Sequence, residues 1–317
     1  MAVIDDIQRG NRTAFSFEVL PPLKGAGMKE VYASIDQLID FNPLYVNITT
    51  HCREITYREL PNGMFERSSL RRRPGTSAVA AAIHSRYDIT VVPHVLCGGF
   101  TKEETEYMLI DLQYLGITDL LVLRGDKGRD EHRFEPHASG WSHALELEGQ
   151  INRFNQGVFV DGSPIKAEVL PFHYGVAGYP EKHEESPNLE SDIHWLKKKV
   201  EAGADYVVTQ MFFDNNKYWE FVRRAREAGI QVPIIPGIKP LSRMSQLNLI
   251  PETFKVDIPE ELVREVIKCK DDNEVRALGI EWCITQCRDL MAHGVPNIHF
   301  YTTSGAKTVR TIAEAVY

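Results

Sequence analysis

No stretch of this 317-residue chain approaches the ~18 consecutive apolar residues that a membrane-spanning helix needs, so no membrane partner is expected. Positive charge is also in short supply. The 36 Lys and Arg against 44 Asp and Glu leave a net charge of -8, which argues against a nucleic-acid scaffold. The only short arginine run, Arg71-Arg72-Arg73, reads as a solvated patch. Five cysteines in a chain of this size suit reduced thiols better than a disulfide framework. No GxGxxG fingerprint or phosphate-loop motif follows any predicted strand, which leaves a Rossmann-type nicotinamide site unsupported. The segment Met1-Ala2-Val3-Ile4-Asp5-Asp6-Ile7 has acids where a signal peptide has bases, and the chain reads as cytoplasmic.

The remaining composition, 43% hydrophobic and 25% charged, is that of a globular chain. Length alone allows two domains or one large α/β barrel. Short β-branched runs alternate with amphipathic helical stretches about eight times without a composition break. Strands are predicted at 15–20, 45–49, 89–95, 120–123, 173–177, 206–211, 232–238 and 298–301, with a polar, Arg-rich loop after the second and an irregular insertion at 155–172. Thr101 and Glu104 have the spacing of a capping box. The pattern predicts parallel strands with crossover helices. The expected fold class is α/β, a single (β/α)8 barrel over residues 1–317 with an N-terminal helical segment, and an open doubly wound sheet is the alternative.

In such a barrel the active site lies where the strands end, so polar residues at strand ends become candidates. Glu18 ends the first strand in Phe15-Ser16-Phe17-Glu18-Val19-Leu20-Pro21-Pro22, where alternation sets a carboxylate among apolar side chains. Burial favours the protonated carboxyl and would make it a general acid; the plain alternative is a solvated or salt-bridged Glu. Thr49, Thr50, His51 and Cys52 end the second strand and His94 the third. Arg124, Gly125 and Asp126 follow the fourth, where a rim ion pair between Arg124 and Asp126 is the plain reading. Tyr179, Gln210 and Lys239 belong to the next three. His51, Cys52, His94 and Cys97 have the chemistry of zinc ligands in no common zinc spacing, and buried apolar cysteines are the alternative. Cys283 and Cys287 share one helix face, which predicts core packing. Asp192, Trp195 and Lys199 form a stripe beside the core stripe Leu189, Ile193, Leu196 and Val200, a border with solvent or with a bound cofactor.

Seven stretches in order carry a family resemblance: Phe15-Ser16-Phe17-Glu18 with Pro21-Pro22, Pro93-His94, Leu123-Arg124-Gly125-Asp126, Gly178-Tyr179-Pro180-Glu181 with His183, Thr209-Gln210-Met211-Phe212-Phe213-Asp214, Ile235-Pro236-Gly237-Ile238 and His299-Phe300-Tyr301-Thr302. As a set they resemble the bacterial-type methylenetetrahydrofolate reductases over nearly the whole chain. That resemblance implies a barrel that binds FAD, takes a hydride from NADH or NADPH as co-substrate, and reduces 5,10-methylenetetrahydrofolate to 5-methyltetrahydrofolate in a ping-pong cycle.

It further implies Glu18 as general acid and Asp126 as the charge between flavin and pterin. FAD would be held by Thr50, Cys52, His94, Arg124, Gly125, Asp126, Ala138, Tyr179, His183, Ser186, Asp192, Trp195, Lys198 and Lys199. Thr49, Asp126, Gln210 and Gln246 would meet the substrates, no metal is called for, and a homo-oligomer is expected. Lys198 stands where the family often has Arg, Trp195 where it has a smaller polar residue, Ile250 where an aromatic can cover the substrates, and Gly305 where an Arg can meet the folate tail, with Lys307 nearby. The other readings are a zinc-dependent methyl- or acyl-transfer barrel and a flavin- or folate-binding barrel that does not turn over.

Overall fold

The protein is described by a computed structural model covering residues 2–51, 54–127, 133–302 and 305–317. In chain order the elements are α1 (Val3–Arg9), β1 (Ala14–Val19), α2 (Lys29–Asp36), a 3-10 turn (Ile39–Phe41), β2 (Val46–Ile48), β3 (Glu54–Glu59), β4 (Phe65–Leu70), α3 (Thr76–Arg86), β5 (Val91–Leu96), α4 (Lys102–Tyr114), β6 (Asp119–Leu123) and α5 (Ala144–Asn155). They continue with β7 (His173–Gly178), α6 (Leu189–Ala202), β8 (Tyr206–Thr209), α7 (Asn215–Glu227), β9 (Ile234–Ile235), β10 (Gly237–Ile238), α8 (Gln246–Phe254), α9 (Glu260–Lys268), α10 (Asp272–Ala292), β11 (Asn297–Tyr301) and α11 (Ala306–Val316). The chain divides into two compact units, one of residues 1–19, 33–47 and 173–317, the other of 20–32 and 48–172.

In the first unit, β7 pairs with β8 and β8 with β9, all parallel, while β10 pairs with β11 and β11 with β1. β9 and β10 are consecutive pieces of one strand interrupted at Pro236, a residue with no N–H to give to a ladder. The two halves of that strand serve different neighbours, β8 before the proline and β11 after it. In the second unit, β5 pairs in parallel with β6, and β3 and β4 form an antiparallel hairpin. Counting β9 and β10 as one strand and setting the hairpin aside, eight parallel strands alternate with helices, which is the (β/α)8 barrel class.

On β1, Phe15 and Phe17 pack on one face, with Phe15 within 5.3 to 5.7 Å of the rings of Phe17, Phe300, Phe41 and Tyr317. The opposite face carries Ser16 and Glu18. Both faces are buried, as expected of parallel strands, and each phenylalanine contributes about 1.5–3 kcal/mol through burial. Thr101 and Glu104 make the reciprocal capping box that their spacing predicts. Cys283 and Cys287 are buried on α10.

Two features differ from the sequence reading, and the irregular insertion is as read. The Arg-rich stretch after β2 contains the hairpin β3–β4 rather than loop alone. Three helices, α8 to α10, lie between the seventh and eighth strands. The insertion before β7 is folded loop: Asn155 brackets Phe172 with two hydrogen bonds of 2.8 and 2.9 Å, and Gln113 holds Leu170 the same way. Among the described residues no helix is long and apolar enough to cross a membrane.

Candidate active site

In the first unit the register builds a buried row. Ser16 lies opposite His299, and His299 opposite Gly237. Two residues on, Glu18 lies opposite Tyr301, with Lys239 one residue past the end of β10. Glu18 and Lys239 are each only 8% exposed. The Tyr301 hydroxyl donates to the Thr209 carbonyl at 2.6 Å, and Thr302 donates to the Glu18 carbonyl at 2.5 Å. Burial, and then the charge of Glu18, hold the Tyr301 phenol well above its ordinary pKa. Burial pulls the Lys239 ammonium below its ordinary range, and the attraction of Glu18 opposes that pull.

Beneath this row is a polar layer. Ser16 Oγ meets His299 Nδ1 at 2.9 Å and accepts from Asn297 Nδ2 at 2.6 Å. The Tyr45 ring stacks on His299, with centroids 5.6 Å apart and planes 13° from parallel. Gly237 is required here by space. A Cβ on it would stand 2.2 Å from the Thr209 carbonyl oxygen and 2.6 Å from the Tyr301 ring.

Beyond β7, Tyr179 and His183 meet edge to face at 4.8 Å. Asp192 of α6 accepts from the Ser186 hydroxyl at 2.9 Å and the His183 N–H at 3.3 Å, and Lys199 donates to the Ala177 carbonyl at 2.6 Å. Tyr179, His183, Ser186 and Asp192 therefore form one connected group beyond β7, while Lys199 is tied to the strand itself at Ala177. Trp195 and Lys198 stand apart from it: Trp195 is 57% exposed against His194, and Lys198 is paired at 2.8 Å with Glu201 one turn along the helix. Gln210 accepts from the Met211 N–H at 2.9 Å. The side-chain oxygen of Gln246 accepts from Ser242 and Arg243 in the turn that opens α8, so that atom is engaged in the fold. Ile250 is buried in a cluster with Met211, Phe213 and Leu241. The Glu181 carboxyl accepts from the Asp257 N–H at 2.9 Å, and burial raises its pKa to about 7.

In the second unit, Thr50 Oγ1 donates to the His94 carbonyl at 2.6 Å and lies 2.5 Å from the Thr76 hydroxyl. Thr49 meets His51 at 3.4 Å. His94 is 7% exposed, and burial, aided by His51, pushes its pKa down to about 3. The imidazole is neutral at any physiological pH, and among the described residues its buried Nε2 meets no hydrogen-bond partner. The Arg124 guanidinium lies 4.6 Å over the Phe134 ring, and Gly125 holds a left-handed φ of +90° that favours glycine. Asp126 and Ala138 are exposed, whereas Cys97 is a buried thiol. Cys52, a predicted cofactor residue, lies outside the described residues, as does any zinc set that needs it. Among the described residues no three His, Cys, Asp or Glu side chains gather as metal ligands.

The methylenetetrahydrofolate reductase family model matches residues 3–316. The chain belongs to the methylenetetrahydrofolate reductase family. It is 30% identical to methylenetetrahydrofolate reductase (NADH) 1 of Arabidopsis thaliana over 97% of its length and 49% of that protein's. It is 30% identical to 5,10-methylenetetrahydrofolate reductase of Escherichia coli (strain K12), covering 92% of this chain and 86% of that one. The chain thus spans about half the length of the eukaryotic relatives it matches. A solved structure from Clostridium thermocellum, described as binding two copies of 5-methyl-5,6,7,8-tetrahydrofolic acid, shares the fold with a TM-score of 0.58 at 13% identity, over 99% of this chain and 98% of that one. The polar layer of Tyr45, Asn297 and His299, absent from the predicted set, is joined to Ser16, two residues before Glu18 on β1. Its signal was the alternation Asn297-Ile298-His299-Phe300-Tyr301, which marks two faces without saying which one turns inward.

Proposed function

We propose that this protein is an FAD-dependent reductase of 5,10-methylenetetrahydrofolate, a single catalytic unit over residues 1–317 that takes its hydride from NADH or NADPH. The observation that carries the reading is the burial of Glu18 at the end of β1, with Tyr301 and Lys239 on the same row. Glu18 gives a proton to the ring nitrogen of the folate that leaves as the imidazolidine ring opens, which produces the electrophilic iminium carbon. Asp126 supplies a negative charge that stabilises that cation. Gln210 holds whichever substrate is present, with Thr49 toward the nicotinamide.

FAD, when bound, supplies the hydride acceptor and donor that link the two substrates. The residues present fit it. The neutral His94 has a buried Nε2 ready for a partner, Thr50 is fixed beside it, and Gly125 lets the backbone approach a ligand. Tyr179, His183, Ser186 and Asp192 are already ordered among themselves, and Lys199 is held at the Ala177 carbonyl. Trp195 and Lys198 take part only as an indole N–H and a point charge at the edge. We further assign the protein to the cytoplasm as a homo-oligomer.

Incubation of the FAD-loaded protein with NAD(P)H and 5,10-methylenetetrahydrofolate, with products read by mass spectrometry, should yield 5-methyltetrahydrofolate. A colourless protein that takes up no FAD and forms no methyl product rejects the reading.

A further inference from the structure

We infer that Lys239 is the counter-cation of the acid: it stabilises the carboxylate that Glu18 becomes on giving up its proton. The inference rests on the reading of Glu18 as the proton donor and adds a residue outside the set that the family resemblance implied.

The geometry is one of register. Across β10, β11 and β1 the positions run Gly237, His299, Ser16, then Ile238, Phe300, Phe17; the next pair is Tyr301 and Glu18, and Lys239 follows Ile238 one residue past the end of β10. Alternation places the first and third sets on the same face. Two strand spacings separate Lys239 from Glu18, roughly 10 Å at the backbone, a gap that a four-carbon lysine stem can bridge. Both side chains are buried to the same degree, and each acts electrostatically on the other. A lysine this buried is rare unless paired, since an isolated ammonium loses its hydration without compensation.

Among the described residues, the other titratable groups that act on the pair are neutral or sit lower. The phenols of Tyr301 and Tyr45 are held protonated by burial, and Tyr179 faces Tyr301. His299 lies one row beneath, joined to Ser16. Cys283 of α10 lines the same small cavity as Lys239, with a thiol that burial keeps protonated. Thr302 and Gln210 do not titrate.

During the proposed step the Glu18 O–H bond breaks, the proton and its new bond go to the departing folate nitrogen, and a negative charge stays in the buried row. An ammonium on that row lowers the cost of the charge and makes the carboxyl a stronger acid. It also sets the upper pH limit of the step, because the acid must hold its proton before it can give it.

The test is a carboxyl titration by NMR of protein labelled with 13C-glutamate, with Glu18 assigned by the signal missing in Glu18→Gln; no cofactor is required. Lys239→Met, or Lys239→Gln if the first folds poorly, should raise the Glu18 midpoint by ~1–3 pH units, and Lys239→Arg should return it toward wild type. In the loaded enzyme the alkaline limb of the folate half-reaction should move up by a similar amount, while flavin reduction by nicotinamide stays within twofold. A midpoint that does not move in a folded neutral variant overturns the inference. If Glu18→Gln leaves the folate half-reaction intact, the reading of Glu18 as the acid fails, and the titration still decides whether the pair exists.

Discussion

The Glu18 row and the His94 group solve opposite problems with the same material, buried polar side chains. Around Glu18 a carboxyl group and an amine are buried together, with a phenol held protonated between them and a hydrogen-bonded layer of Ser16, Asn297 and His299 beneath. Around His94 burial, aided by His51, strips the imidazole of its proton, and Thr50, itself paired with Thr76, holds the His94 backbone carbonyl. Paired burial lowers the cost of the charge that a proton transfer leaves behind. Unpaired burial removes charge and leaves hydrogen-bonding capacity for a ligand. On the proposed reading, one region moves a proton and the other holds a cofactor.

Three changes separate the regions, the largest first. Gly237→Ala strikes the floor of the Glu18 row, where the added methyl meets a carbonyl oxygen and an aromatic ring that are already bonded to each other. Overpacking of this kind should cost about 3 kcal/mol, and calorimetry should find the melting temperature lower by several degrees. A mild effect would mean that the row gives way easily.

His94→Ala should leave the row intact and weaken FAD about tenfold, near 1.4 kcal/mol, in equilibrium titrations followed by flavin fluorescence. Because His94 titrates at about 3, the wild-type contribution of this residue should be flat between pH 5 and 8. An affinity that tracks a midpoint near 6.5 would break the contrast.

Glu181 is the intermediate case, a carboxyl partly buried beside Asp257 with its pKa raised to about 7. Its folded-state pKa lies above the unfolded value near 4.5, so the folded state binds more protons between those limits, and stability falls as pH rises through that window. Glu181→Gln removes the slope. Its melting temperature should match wild type at pH 4.5 and exceed it by a degree or two at pH 8.

The eight strand-and-helix steps were legible because β-branched runs and helical stripes recur without interruption, and the strand-end rule then brought Glu18, His94, Arg124, Gln210 and Lys239 into view. The hairpin β3–β4 was missed because its strands, Glu54–Glu59 and Phe65–Leu70, carry charged and polar residues on both faces, although Pro61-Asn62-Gly63 between them is a turn signal. The role of Lys239 was not legible for a different reason. Only strand pairing brings residues 18, 239 and 301 together, because they lie on or just past three strands far apart in sequence. Trp195 sat on the expected stripe and Lys198 was implied by the resemblance, yet their side chains turn to His194 and Glu201, a rotation that periodicity does not specify.

The central claim, that Glu18 serves the folate step and not the nicotinamide step, is tested most directly by anaerobic stopped-flow on Glu18→Gln. Flavin bleaching by NADH or NADPH should proceed at the wild-type rate, and recovery of absorbance on adding 5,10-methylenetetrahydrofolate should slow by roughly 10²–10⁴-fold. Bleaching and recovery that fall together, or a recovery that is unchanged, would contradict it.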